Sequence, residues 1–118
     1  MDDLFHVTVR HAGPGVCEVS VAGELDVATA PDLRSALGRA MAGCRRVTID
    51  LADLQFCDCC GMSALLAAAR TARAEGSEIH LRAVPHALSR LLRLFHTGSA
   101  FTIEPPDGHG PSGQAIGA

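Results

Sequence analysis

Three cysteines fall within four residues, Cys57-Asp58-Cys59-Cys60, and Gly61-Met62-Ser63 follows at once. Thiols at this density can act as nucleophiles, pass through oxidation states or hold a metal. The flanking pattern says where they sit. An apolar run ending in Leu54-Gln55-Phe56 enters the turn as a strand, and an Ala- and Leu-rich segment leaves it as a helix. Backbone N–H groups and the positive end of a helix dipole therefore face whatever side chain or anion lies there.

Catalysis fits this pattern poorly. A cysteine phosphatase loop needs several glycines and an arginine shortly after its cysteine, and Cys60-Gly61-Met62-Ser63-Ala64-Leu65-Leu66 has neither. No Gly-rich phosphate loop of the Walker type occurs. The expectation is a protein that is not an enzyme and has no catalytic residue. The six histidines, His6, His11, His80, His86, His96 and His109, are scattered without paired spacing, so each reads as a surface residue rather than a ligand. Cys17 in a strand and Cys44 in a helix-to-strand turn read as small packing residues, and an odd total of five cysteines argues against a disulfide framework.

The elements that must position the turn alternate along the chain. Phe5, Val7 and Val9 alternate with polar residues as in a half-buried strand, and residues 11 to 15 are a turn that returns Val16 to Val21 as its hairpin partner. Thr29-Ala30-Pro31-Asp32 is a helix start with Thr29 as cap, and Leu33, Ala36, Leu37, Ala40 and Met41 share one face up to Gly43. Val47, Ile49 and Leu51 form the strand that leads to the cysteines. The helix after them puts Met62, Leu65, Leu66 and Ala69 on one face, with Arg70 and Arg73 toward solvent, and closes at Gly76. Ile79, Leu81 and Ala83 make a fourth strand. Pro85 opens a helix carrying Leu88, Leu91, Leu92 and Phe95 that ends at Gly98, and Phe101 to Ile103 is a last short strand.

This order predicts an α/β domain with a mixed sheet of about five strands and helices packed against it, over residues 1–104. Residues 105–118 lack an apolar period and read as a flexible C-terminal tail. In such sheets sites form at the carboxyl ends of strands, where the cysteine turn lies. A chain of 118 residues with net charge −3 and only four aromatic residues, all Phe, lacks the basic stripe of a nucleic-acid binder. All ten basic residues are arginine. No apolar run approaches the roughly eighteen residues of a membrane span and no signal peptide precedes the first strand, so a cytoplasmic location is expected.

Two segments in order, Val21-Ala22-Gly23-Glu24-Leu25-Asp26 with the Thr29-Ala30 helix start, and Val47-Thr48-Ile49-Asp50-Leu51 before Phe56-Cys57-Asp58-Cys59-Cys60-Gly61-Met62, resemble the STAS domain. Within that family the chain most resembles the single-domain anti-sigma factor antagonists of bacteria. The resemblance implies partner switching: the antagonist binds an anti-sigma factor with a serine kinase-type ATPase fold and so frees a sigma factor for transcription. It implies no cofactor and no metal, and it leaves a homodimer open. The partner-binding or regulatory residues it points to are Asp26, Thr29, Asp58, Cys59, Cys60, Gly61, Met62 and Ser63.

The sharpest departure from the family's pattern falls at the phosphoacceptor position. The family's motif reads Asp-Ser-Ser-Gly or a close variant, its second Ser or Thr accepts phosphate from the anti-sigma factor, and here that position is Cys60. Asp58 matches the motif's aspartate, Gly61 the glycine expected to let the backbone turn tightly, and Asp26 the acidic residue of the first loop. Asp26, Asp58 and Cys60 are expected to share one surface that meets the partner. For the thiols three readings stand side by side: small residues in place of serine, redox control in which a sulfinate takes the place of phosphate, and metal binding, for which Cys-x-Cys-Cys lacks a second ligand pair. Ser63, one turn on, is a substitute phosphorylation site or a surface serine, and Thr29 is first a helix cap. The alternative to the antagonist is a STAS sensing or scaffolding module for redox state, a small anion or a transport-complex partner.

Overall fold

The computed structural model describes residues 5–94 and 101–104. The order is β1 (Phe5–Gly13), β2 (Val16–Leu25), α1 (Ala30–Gly43), β3 (Arg46–Cys57), α2 (Cys59–Ala74), β4 (Glu78–Arg82), α3 (His86–Leu94) and β5 (Thr102–Ile103). The five strands form one sheet in the order β1-β2-β3-β4-β5. β1 is antiparallel to β2 and every other neighbour is parallel. This is the mixed α/β sheet that the alternation of strands and helices predicts.

Strand parity separates the two faces. Val19, Val21, Val47, Ile49, Ile79 and Leu81 are buried on one face, and Leu33, Leu37, Met62 and Leu65 of α1 and α2 complete the same core. α1 packs on β1, β2 and β3 and touches α2, which packs on β3 and β4. The two helices therefore lie side by side on one face. On the other parity, Glu18, Thr48, His80 and Thr102 stand in one row across four paired strands. Glu18 is only 6% exposed, and the guanidinium groups of Arg10 and Arg82 flank its carboxylate, which a buried charge requires. Arg82 also reaches Asp50 at 3.1 Å. His80 is buried, contrary to its reading as a surface residue, and its ring lies 2.8 Å from Glu78 and 3.6 Å from Glu104. The contact with His80 lowers the Glu78 carboxyl below its ordinary range.

Several elements run past their sequence patterns. β1 includes His11 to Gly13, so the turn narrows to Pro14-Gly15, and β2 continues to Leu25, while β3 reaches Cys57 at the turn as its apolar run predicts. Backbone pairing holds these ends where side-chain alternation has faded: Glu24 pairs with Phe56 and Leu25 with Cys57, across two register shifts. Ala83 lies outside β4 in the left-handed region, at φ 58°. Phe95, Gly98 and the tail lie outside the described residues.

A larger departure concerns Cys17 and Cys44. They are bonded as a disulfide, with Cα atoms 6.0 Å apart. The odd cysteine count concealed this pair because the other three thiols belong to a separate turn.

α2 ends in a Schellman motif. The N–H of Gly76 donates to the carbonyl of Arg73 at 3.2 Å and that of Ser77 to Ala72 at 2.7 Å, with Gly76 at φ +84°. No atom lies within 4 Å of a Cβ built there, so Gly76→Ala carries only the backbone penalty of the left-handed region. It should lower stability by about 1–2 kcal/mol, read as a reduced urea midpoint at unchanged slope.

Candidate functional site at the strand ends

β2 and β3 stop beside one another, and each feeds a helix. The N–H of Asp58 donates to the carbonyl of Leu25 at 3.2 Å, one residue beyond the last strand pair. The two loops thus begin from a shared anchor. In the first, the Asp26 carboxylate accepts from the backbone N–H of Ala28 at 3.0 Å and of Thr29 at 3.1 Å. The Thr29 hydroxyl donates to the Glu24 carbonyl at 2.8 Å and accepts from the Asp26 N–H at 2.9 Å. Thr29 occupies the N-cap of α1 but makes no side-chain cap bond. Its expected capping role is corrected: the hydroxyl is turned back to tie the loop to the end of β2.

In the second loop the cap is Asp58, whose carboxylate accepts from the Gly61 N–H at 2.9 Å. The Met62 N–H donates to the Asp58 carbonyl at 2.9 Å and closes the first helical turn. Asp58 spends one acceptor on its own helix and holds a negative charge at the dipole's positive end. α2 starts at Cys59, two residues before the glycine at which the sequence pattern places it.

Gly61 is needed for a reason other than a tight turn. A Cβ at this position would lie 2.6 Å from the Leu25 carbonyl oxygen and 2.7 Å from the Leu25 side chain, and Gly61 is not among the glycines of positive φ. Only glycine lets α2 press its first turn onto the end of β2.

Around this contact the chemistry divides by exposure. Cys59, Cys60 and Ser63 are exposed, whereas Met62 is fully buried and serves the core. Cys57 is half-buried, its thiol 3.5 Å from the Asp58 carbonyl. Burial, with the charge of Asp58 and the neighbouring Cys59 adding to it, pushes the Cys57 thiol up to about 12. Cys57 is therefore a protonated thiol near neutral pH, the opposite of the activation expected from a helix N-terminus. Two apolar side chains that sequence reasoning did not assign to the site are open to solvent at the same end of the sheet: Val27 at 70% and Phe56 at 51%. Phe56 breaks the pattern of an outward strand residue being polar, and that was its available signal. Among the described residues, no metal-ligating group of three His, Cys, Asp or Glu gathers at this turn.

Comparisons with known proteins agree with this fold. The family model described as "Mlab, STAS domain" matches residues 9–99, and the chain belongs to the STAS domain family. An anti-sigma factor antagonist from Mycobacterium paratuberculosis is 29% identical, with 86% of each chain covered and a TM-score of 0.71. The anti-sigma factor antagonist SpoIIAA in its unphosphorylated form superposes at a TM-score of 0.69 with 15% identity, over 86% of this chain and 90% of that one. A murine Slc26a9 anion transporter shares the fold at a TM-score of 0.68 and 18% identity, over 80% of this chain and 17% of that one.

Two measurements check the local chemistry. Gly61→Ala should destabilise the fold by about 3 kcal/mol through overpacking against Leu25, while the exposed Ser63→Ala should stay within about 0.5 kcal/mol; chemical denaturation reads both. Brief alkylation at neutral pH should label Cys59 and Cys60 well before Cys57, scored by peptide mass. As pH rises past 9.0 the unfolded Cys57 thiol ionises first, while the folded one keeps its proton to about 12. Stability should fall across that window, and less so in Cys57→Ala.

Proposed function

We propose that this chain is an anti-sigma factor antagonist that works by binding a kinase-fold anti-sigma factor, without catalysis of its own. The observation that carries the reading is the exposure of two apolar side chains at the ends of β2 and β3, Val27 just after Asp26 and Phe56 two residues before the α2 cap Asp58. Exposed apolar side chains rimmed by Asp26, Asp58 and the thiols suit a protein partner better than a small substrate. The likeness to a 29% identical antagonist over most of both chains supports the same assignment.

On this reading Asp26, Thr29, Asp58, Cys59, Cys60, Gly61, Met62 and Ser63 are the partner-binding and regulatory residues, in two layers. Asp26 with Thr29, and Asp58 with Gly61, fix the two loops, Met62 anchors α2, and Cys59, Cys60 and Ser63 face the partner. Cys60 stands where the family carries its phosphoacceptor, and a thiol keeps the size of a serine without its hydroxyl. The complex then persists in the presence of ATP, because the modification that normally separates the partners has no acceptor at Cys60. Binding releases a sigma factor in the cytoplasm.

A second reading, a STAS module within a transport complex, is favoured by the likeness to a segment of an anion transporter. The two are separated by pull-down against kinase-fold anti-sigma factors of the same host, with ATP, reading complex and intact mass. Retained binding with no added phosphate supports the antagonist. Capture of none of them removes the antagonist reading and leaves the transport module. Cys60→Asp should weaken a captured complex by about tenfold or more, since it buries a new charge at the interface; unchanged binding would place the interface elsewhere.

A further inference from the structure

The opposite end of the sheet holds the remaining two cysteines. There β1 returns into β2 through Pro14-Gly15, and α1 passes into β3 through Cys44-Arg45. The Gly15 carbonyl accepts from both the Arg45 N–H, at 2.8 Å, and the Arg46 N–H, at 3.1 Å, so hairpin and helix exit are locked together. His11 lies directly opposite Cys17 in the antiparallel ladder, which sends their side chains to the same face. Cys44, the C-cap of α1, comes down onto that face. A register shift between His11 and Gly13 loosens the ladder beside the histidine.

The donor atoms of His11, Cys17 and Cys44 consequently lie within 4.8 Å of one another. Cys17 and Cys44 are 2% and 5% exposed, while His11 is open to solvent. A pair of sulfurs inside and an imidazole at the rim is a donor set that suits zinc, with one coordination position left toward solvent. The described structure is the oxidised form, with both sulfurs joined. In a reducing compartment the same backbone presents two buried thiols beside the His11 imidazole.

We propose that His11, Cys17 and Cys44 form a zinc site in the reduced protein, which the Cys17–Cys44 disulfide replaces on oxidation. With a peroxide as oxidant the step balances. Each thiolate gives up one electron as the S–S bond forms and the O–O bond breaks. Hydrogen peroxide takes two electrons and two solvent protons to leave as two waters, and the zinc ion departs from the remaining imidazole. The site is distant from the cysteine turn, so it couples oxidation to the anchoring of β1 and α1 rather than to the partner surface.

Cobalt(II) is the probe, titrated into the reduced full-length chain without oxygen. One equivalent should bind with thiolate-to-cobalt charge transfer and the intense visible bands of a four-coordinate ion, and zinc should displace it. Peroxide should abolish the spectrum, with loss of the two remaining thiols when Cys57, Cys59 and Cys60 are serine. The Cys57→Ser/Cys59→Ser/Cys60→Ser variant should behave as the parent. His11→Ala, at an exposed position, should keep its far-ultraviolet circular dichroism and its ability to form the disulfide while binding cobalt about tenfold or more weakly. The proposal is overturned if the reduced parent shows no thiolate charge transfer, if His11→Ala binds as the parent does, or if the spectrum is lost in the triple serine variant.

Discussion

The contact between Gly61 and Leu25 governs the geometry of the candidate site. Because no Cβ intervenes, the first turn of α2 rests on the last residue of β2, and the N–H of Asp58 can reach the Leu25 carbonyl. That places the start of one helix against the strand that feeds the other. The Asp26 loop and the cysteine turn are thereby held at one end of the sheet by backbone contacts, before any side chain between them is considered. Asp58 then caps α2 while Thr29 draws the first loop back to Glu24. With the loops fixed by main-chain contacts and by Asp26, Thr29 and Asp58, the side chains of Cys59, Cys60, Val27 and Phe56 are left exposed.

Much of this was legible in the residues. Alternation in Phe5 to Val9 and in Val47 to Leu51, and the apolar stripes of α1 and α2, announce the elements because one face of each must be buried. The carboxyl end of β2 escaped the pattern, since Gly23-Glu24 lacks alternation and is held by backbone pairing instead. Thr29 misled for a related reason: a threonine before a proline-containing first turn is the usual cap, and only the tertiary position of the Glu24 carbonyl redirects its hydroxyl. The need for glycine at position 61 was legible, but its cause, a close approach rather than a turn, exists only once two distant segments meet. His80 looked like a surface residue until the strands set it between two carboxylates.

The cysteines divide by location into two chemistries. Cys57 is held protonated by burial beside Asp58, and its neighbours are open to solvent, whereas Cys17 and Cys44 are enclosed and joined. Sequence separation concealed this division. Cys17 and Cys44 are 27 residues apart and meet only because α1 returns the chain across the hairpin. A count of thiols cannot reveal that; the parallel register of β2 with β3 sets Cys17 beside Val47, three residues from Cys44.

The sheet's spatial order is the same as its order along the chain. Each strand is laid beside the one made just before it, so no strand must be threaded between two that are already paired. The β1–β2 hairpin needs no crossover, and the crossovers that lead to β3 and β4 carry the two helices, α1 and α2, that pack on the sheet. Each crossover therefore spans only neighbouring strands of the sheet, and none passes over a strand already in place.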